Sequence, residues 1–464
     1  MSDDRSAPDG PDGDSDAFDA ITQRVLERVT PDTGERARLE AVARELTERA
    51  RRAATDRCPD ADVIQVGSSA RNTWISGDRD IDIFVRFPPD LDRATLETFG
   101  LEVGHETLPE GHEEFAEHPY VKGEFDGFAI DIVPCYRLER ARDIQSAVDR
   151  TPFHNRYLEA RLDDELERDV RLTKAFLKGI GAYGSNLRTE GFSGYLTELL
   201  VVEYGGFRAL LEAAADWNPP VTLDPEDHGE VTFDDPLIVI DPTDPTRNVA
   251  AVCAPKNVAR LQHYAREQLT TPRLEYFEPT KREPLDATEL SAHLERRETT
   301  PVAVQFDAPD IVDDQLYPQL KKSLAGIMRA LNRRGFDVLR GATFADTTAV
   351  IFLELSVSRR PAVTRHQGPP VHVRKHAEGF FDAYDDDPTA YGPFIDGDRY
   401  VVERPREFTS ALAFLESNAL FDASLGAHVE TALEADYTVR AGPDVVALAD
   451  EFGEELRQFF EPVP

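Results

Sequence analysis

The chain has 464 residues, 41% of them hydrophobic, which is enough for three or four domains with real cores and excludes a globally disordered protein. Its longest apolar run, about six residues from Val249, falls far short of the roughly 18 that a membrane helix needs, so we expect no membrane span and, behind an acidic N-terminus, a cytoplasmic protein. The net charge of −36, with only eight lysines among 52 basic residues, suits a surface adapted to molar salt, where the Debye length is about 3 Å and self-repulsion is screened.

Three widely spaced cysteines, Cys58, Cys135 and Cys253, have no CxxC spacing and argue against a disulfide framework or zinc site. The acidity does not exclude an RNA partner. In molar salt, counterion release contributes little, and binding rests on hydrogen bonds, stacking and local basic islands.

In chain order, residues 1–17 are predicted to form a disordered acidic tail. A helix follows from Arg36, with Leu39, Val42, Ala43 and Leu46 on one face and Asp32 or Thr33 as its cap. Strands are expected over 63–66, 81–87 (stopping at Pro88) and 128–133 (stopping at Pro134). Beyond Pro152 the pattern turns helical. Leu166, Val170, Thr173, Leu177 and Ile180 make one stripe, and a further helix is expected over 193–217. A Pro/Asp-rich stretch, a strand over 237–240 and a helix over 257–268 follow. A β-α-β-β order over 302–306, 315–332, 336–339 and 347–356 suits a small ferredoxin- or RRM-like sheet. Residues 358–398 read as irregular. There is no internal repeat.

The chemistry concentrates in Gly67-Ser68 and in the run Asp80-Ile81-Asp82-Ile83. Side chains alternate along a strand, so Asp80 and Asp82 share one face while Ile81 and Ile83 point into the core. Asp131 sits in another apolar strand, between Ile130 and Ile132, where an acid is costly unless it is paired or metal-bound. Three carboxylates on adjacent strands suit hard oxygen-ligand cations, and two Mg²⁺ about 3.5–4 Å apart would serve nucleotidyl transfer. Gly67 and Ser68 supply backbone N–H groups and a hydroxyl for a phosphate.

This layout resembles the DNA polymerase β nucleotidyltransferase superfamily and, more narrowly, the archaeal (class I) CCA-adding enzymes. The stretches that carry the likeness are 67–82, 117–121, 131–136, 146–154, 191–196, 241–251 and 309–320. The resemblance implies an α+β, multidomain enzyme. Its parts would be a palm over 18–152, a mainly helical nucleotide-binding domain over 153–275, and a ferredoxin/RRM-like tRNA-binding body with a tail over 276–464. Such an enzyme adds and repairs the 3′-terminal CCA of tRNA from CTP and ATP without a template. By the same likeness Asp80, Asp82 and Asp131 are the catalytic metal ligands for two Mg²⁺. Ser68, Arg71, His154, Lys174 and Tyr183 bind the nucleotide, and Arg247 helps to recognise the base. Some members have lysine at the Arg71 position. A homodimer is implied.

The tRNA backbone is expected to meet a basic island of Arg359, Arg360, Arg365, Arg374 and Lys375, together with Lys321, Lys322, Arg329, Arg333 and Arg334. A poly(A) polymerase-like enzyme and a non-catalytic RNA-binding relative are the alternatives.

Overall fold

Local chemistry sets the first elements of the computed structural model, which describes residues 12–115, 117–279 and 282–464. Helix α1 (Asp12–Val29) opens the described chain, so the last residues of the expected acidic tail are helical, while residues 1–11 lie outside the described residues. Asp32 accepts the Glu35 N–H at 2.8 Å and starts α2 (Thr33–Arg57), whose Leu39, Val42, Ala43 and Leu46 are buried. Then follow β1 (Asp62–Val66), the single turn α3 (Gly67–Ala70) and β2 (Asp80–Phe87). Helix α4 (Arg93–Thr107) and strands β3 (His112–Phe115), β4 (Pro119–Phe125) and β5 (Phe128–Tyr136) come next.

These strands make one mixed sheet in the order β1-β2-β5-β4-β3, with β2 and β5 parallel. The expected stop at Pro134 is overturned, because β5 runs through it to Tyr136. Pro134 lies beyond the last β4 partner, Ile132, where the strand has a neighbour on the β2 side only and a missing N–H is tolerated. After β5 the chain is pinned by Asp149, whose carboxylate accepts the N–H groups of Tyr136, Gln145 and Ser146 at 2.7–2.9 Å.

The helical half of this first unit holds α5 (Thr151–Glu159), α6 (Asp164–Gly179), α7 (Gly194–Tyr204) and α8 (Phe207–Ala215). Short strands β6 (Val221–Leu223), β7 (Leu237–Asp241) and β8 (Asp244–Asn248) precede α9 (Pro255–Thr270). The single helix expected over 193–217 is two helices. It breaks at Gly205 and Gly206, with φ of +78° and +132°, values that glycine adopts without strain. Phe18 and Val25 of α1 pack in the helical core with Phe176, Leu199 and Phe207.

The chain divides at residue 280 into two units. The second begins with α10 (Ala287–Arg297), β9 (Thr300–Asp307), α11 (Asp313–Arg333), β10 (Asp337–Ala345) and β11 (Thr348–Val357). An insertion follows: β12 (Val363–Pro370), α12 (Arg374–Tyr384), β13 (Tyr391–Asp396) and β14 (Arg399–Pro405). The unit closes with α13 (Ala411–Leu415), α14 (Ala427–Ala435), β15 (Thr438–Ala441) and α15 (Ala449–Phe460). The main antiparallel sheet runs β10-β11-β9-β15, so the expected β-α-β-β is completed by α14 and β15 into a ferredoxin-like βαββαβ. The region read as irregular, 358–398, instead holds two strands and a helix of a separate β12-β14-β13 sheet.

Candidate active site

The carboxylate face follows from strand register. Asp82 lies directly beside Asp131 across the parallel β2/β5 pair, and Asp80 is two residues earlier on the same face of β2. Ile81, Ile83, Ile130 and Ile132 are all buried on the opposite face. Burial and the charges of Asp131 and Asp80 push the Asp82 carboxyl up to about 7. Burial also raises that of Asp131, with Lys122 partly offsetting it from an Nζ–Oδ1 distance of 3.8 Å.

Among the described residues no three His, Cys, Asp or Glu side chains converge as a metal shell does. Like charges on one face repel, and Asp131 shares its charge with Lys122 instead. The donor set nonetheless fits a hard divalent cation in ligand type and in the shared face. Gly67, with φ +78°, lies so close to this face that a Cβ there would overlap Asp82 Oδ2. The glycine thus admits the carboxylate as well as exposing its backbone.

Ser68, Arg71, His154, Lys174 and Tyr183, far apart in sequence, line one cavity of about 250 Å³ beside Gly67. Lys174 does not lie on a solvated helix face. It is 2% exposed, and its Nζ donates to Thr73 O at 3.0 Å and to Glu198 Oε1 at 2.9 Å. Arg71 donates through Nε to Glu198 Oε2 at 2.7 Å and through Nη1 to Asn155 Oδ1 at 2.5 Å. The imidazole of His154 stacks on Tyr195, with ring centroids 3.9 Å apart, and its Nε2 lies 2.8 Å from Asp241 Oδ2. Arg247 donates to the same Asp241 oxygen at 2.7 Å. Burial lowers the His154 pKa, with Asp241 opposing, and burial raises that of Tyr183.

Sequence reasoning missed Glu198, Asn155, Thr73 and Lys122, and gave Asp241 no role. Two of them carried a readable signal. Glu198 is an acid within the run Leu196 to Val201 of α7, and Asp241 ends the apolar strand β7, the same anomaly that singled out Asp131.

In the second unit six residues of the expected basic surface fall into three kinds. Arg334 turns inward, with its guanidinium 4.3 Å from the Phe414 ring centroid, and Arg360 packs against Gly335. Arg365 pairs with Asp396, and Arg374 with Glu378. Arg359 and Lys375 are exposed, with no acidic partner among the described residues.

Three family descriptions match the chain: a nucleotidyltransferase domain over residues 47–154, the second domain of tRNA nucleotidyltransferase over 168–278, and the C-terminal domain of CCA-adding enzyme over 297–442. The chain is 60% identical to a CCA-adding enzyme of Halorubrum lacusprofundi, covering 97% of this chain and 100% of that one. It is 57% identical to that of Haloarcula marismortui over 97% of this chain and 100% of the other, and 42% identical to that of Methanoregula boonei over 94% of each. A solved structure of a cytoplasmic RNA terminal U-transferase is a remote likeness, with TM-score 0.44 and 16% identity over 57% of this chain and 99% of that one. Among the described residues no helix is long and apolar enough to cross a membrane.

Proposed function

The chain belongs to the archaeal CCA-adding enzymes, a family of tRNA nucleotidyltransferases, and on that premise we propose that Asp80, Asp82 and Asp131 are its catalytic carboxylates and hold two Mg²⁺ ions. The observation that carries this reading is the lateral register of Asp82 and Asp131, with Asp80 on the same face. Metal bound there supplies Lewis-acid activation of the attacking 3′-hydroxyl and neutralises the departing pyrophosphate.

The residues around it bind and orient. Arg71 and Lys174 face the triphosphate of CTP or ATP as fixed cations, and Ser68 and Tyr183 offer hydroxyl groups to the same phosphates. His154, stacked on Tyr195 and tied to Asp241, closes another wall. Arg247, on the same Asp241, is placed to meet the base. In this reading the palm, expected over 18–152, gives up α1 to the helical core, while the nucleotide-binding helical domain covers 153–275 and the tRNA-binding body 276–464. The working form is a cytoplasmic homodimer, which light scattering at molar salt tests directly.

Labelled CTP, ATP, UTP and GTP offered at high salt with Mg²⁺ to a tRNA lacking CCA test the activity. Ordered addition of C, C and A is expected. Long A tails would overturn the reading in favour of a poly(A) polymerase, and no incorporation in favour of a non-catalytic RNA binder.

A further inference from the structure

Among the described residues lining the nucleotide cavity, Glu198 is the one acid. A carboxylate on the wall of a triphosphate pocket would repel its ligand unless its charge were already spent. Both of its oxygens are occupied. Oε1 accepts the Thr73 hydroxyl at 2.6 Å and the Lys174 ammonium at 2.9 Å, while Oε2 accepts Arg71 Nε at 2.7 Å. Glu198 itself is fully buried. It is therefore neither a base for the substrate hydroxyl nor a metal donor, and the group formed with Arg71 and Lys174 keeps a net charge of +1.

The contacts also join separate elements. Arg71 and Thr73 follow α3 beside the palm sheet, Lys174 stands on α6 and Glu198 on α7. The Arg71 guanidinium, held by Glu198 on one edge and by Asn155 on another, has little freedom of direction.

We propose that Glu198 is a positioning residue of the nucleotide pocket, fixing the Arg71 guanidinium and the Lys174 ammonium in the directions that receive the triphosphate of the incoming nucleotide. The inference rests on the nucleotide reading of this cavity. Burial lowers the Lys174 pKa. Glu198 and Asp78 oppose that shift, and Arg71 adds to it.

Steady-state kinetics of the full chain with CTP, ATP and tRNA lacking CCA test the proposal. Glu198→Gln is expected to raise KM for both nucleotides about tenfold, with kcat and the KM for tRNA within about twofold. The nucleotide KM is expected to climb as pH rises, from a lower pH than in the parent chain, because Lys174 has lost its nearest counter-charge. Glu198→Asp, which keeps the charge, restores part of the affinity. Unchanged nucleotide KM in folded Glu198→Gln, or a fall in kcat alone, overturns the proposal. If Glu198→Gln does not fold, Glu198→Asp decides: a KM raised a few-fold supports the role and an unchanged one overturns it. Tyr183→Phe separates the two levels. A raised KM there with an unchanged KM at position 198 removes the Glu198 role alone. Unchanged KM in both removes the nucleotide reading of the cavity, and this inference with it.

Discussion

Two acids of the first unit, Asp82 close to Gly67 and Glu198 bonded to Arg71, are treated in opposite ways. Asp82, surrounded by Asp80 and Asp131, has its carboxyl pushed up to about 7. Glu198 is more deeply buried, which by itself would raise its pKa, yet Lys174 and Arg71 bring it down to about 2. The lesson is that burial does not mark a functional acid. An acid that carries its own cations is finished as a structure, whereas an acid crowded by other acids is left for a cation from outside.

The largest effect should come from giving Asp82 what it lacks. Asp82→Asn removes one of the clustered charges at nearly constant volume. On the proposal that Asp82 holds metal, nucleotide incorporation is expected to fall by about a thousandfold or more, while tRNA binding persists. The same variant without divalent metal is expected to melt at a higher temperature than the parent, because repulsion on the β2/β5 face is relieved. Added Mg²⁺ should raise the parent's melting temperature more than the variant's. Retained incorporation, or a melting temperature in metal-free buffer below the parent's, would contradict the reading of Asp82 as an acid awaiting a cation.

Glu354 in the second unit is the control for an acid that is already satisfied. It is fully buried, accepting from Arg297 at 2.5 and 2.9 Å, from Thr299 Oγ1 at 2.6 Å and from Arg340 at 2.9 Å. This is nearly the donor set of Glu198: two cations and a threonine hydroxyl. Glu354→Gln is expected to cost about 2 kcal/mol, discounted for the partial exposure of both arginines, and to lower the melting temperature by about 5 °C. Nucleotide KM should not move, since Glu354 lines no nucleotide cavity. A shift in CTP affinity would break the distinction between the two glutamates.

A smaller effect is expected at Arg71, where the charge is kept and only geometry changes. Lysine can satisfy Glu198 or Asn155, but its single ammonium cannot reproduce the planar fork that meets both. Arg71→Lys should raise nucleotide KM about threefold with little change in kcat. An unchanged KM would show that charge alone suffices there.

The carboxylate face was legible because period-two alternation places Asp80 and Asp82 together whatever the sheet does. The pairing of Asp82 with Asp131 was not, since the parallel register of β2 and β5 depends on how α4, β3 and β4 fold between them. The depth at which Lys174 is buried was not legible for a related reason. Helix α6 is covered on more than one side, burying Arg171, Leu172, Thr173 and Lys174 in succession, so its amphipathic stripe understates its burial. The β12-β14-β13 sheet went unseen because β13 is almost wholly exposed and shows no apolar alternation. Its Pro, Gly and His content then read as loop.

The weakest effect should appear where a basic residue has no internal partner, which is the reverse of the Glu198 case. Arg365 and Arg374 are paired with Asp396 and Glu378, and Arg334 and Arg360 are packed inward, so a run that is basic in sequence is only partly basic in space. Arg359 is exposed and held by its backbone bridge to Ser410, which leaves its guanidinium for a phosphate. Arg359→Glu should raise the KM for tRNA about threefold at the lowest salt the fold tolerates and less at molar salt, where the Debye length is about 3 Å. The KM for CTP should stay the same. Arg365→Glu should do less than Arg359→Glu, because Asp396 already spends much of its charge. Equal effects at the two positions would mean that the ion pair with Asp396 opens when tRNA binds, and no effect at either would remove this strip of surface from the tRNA path.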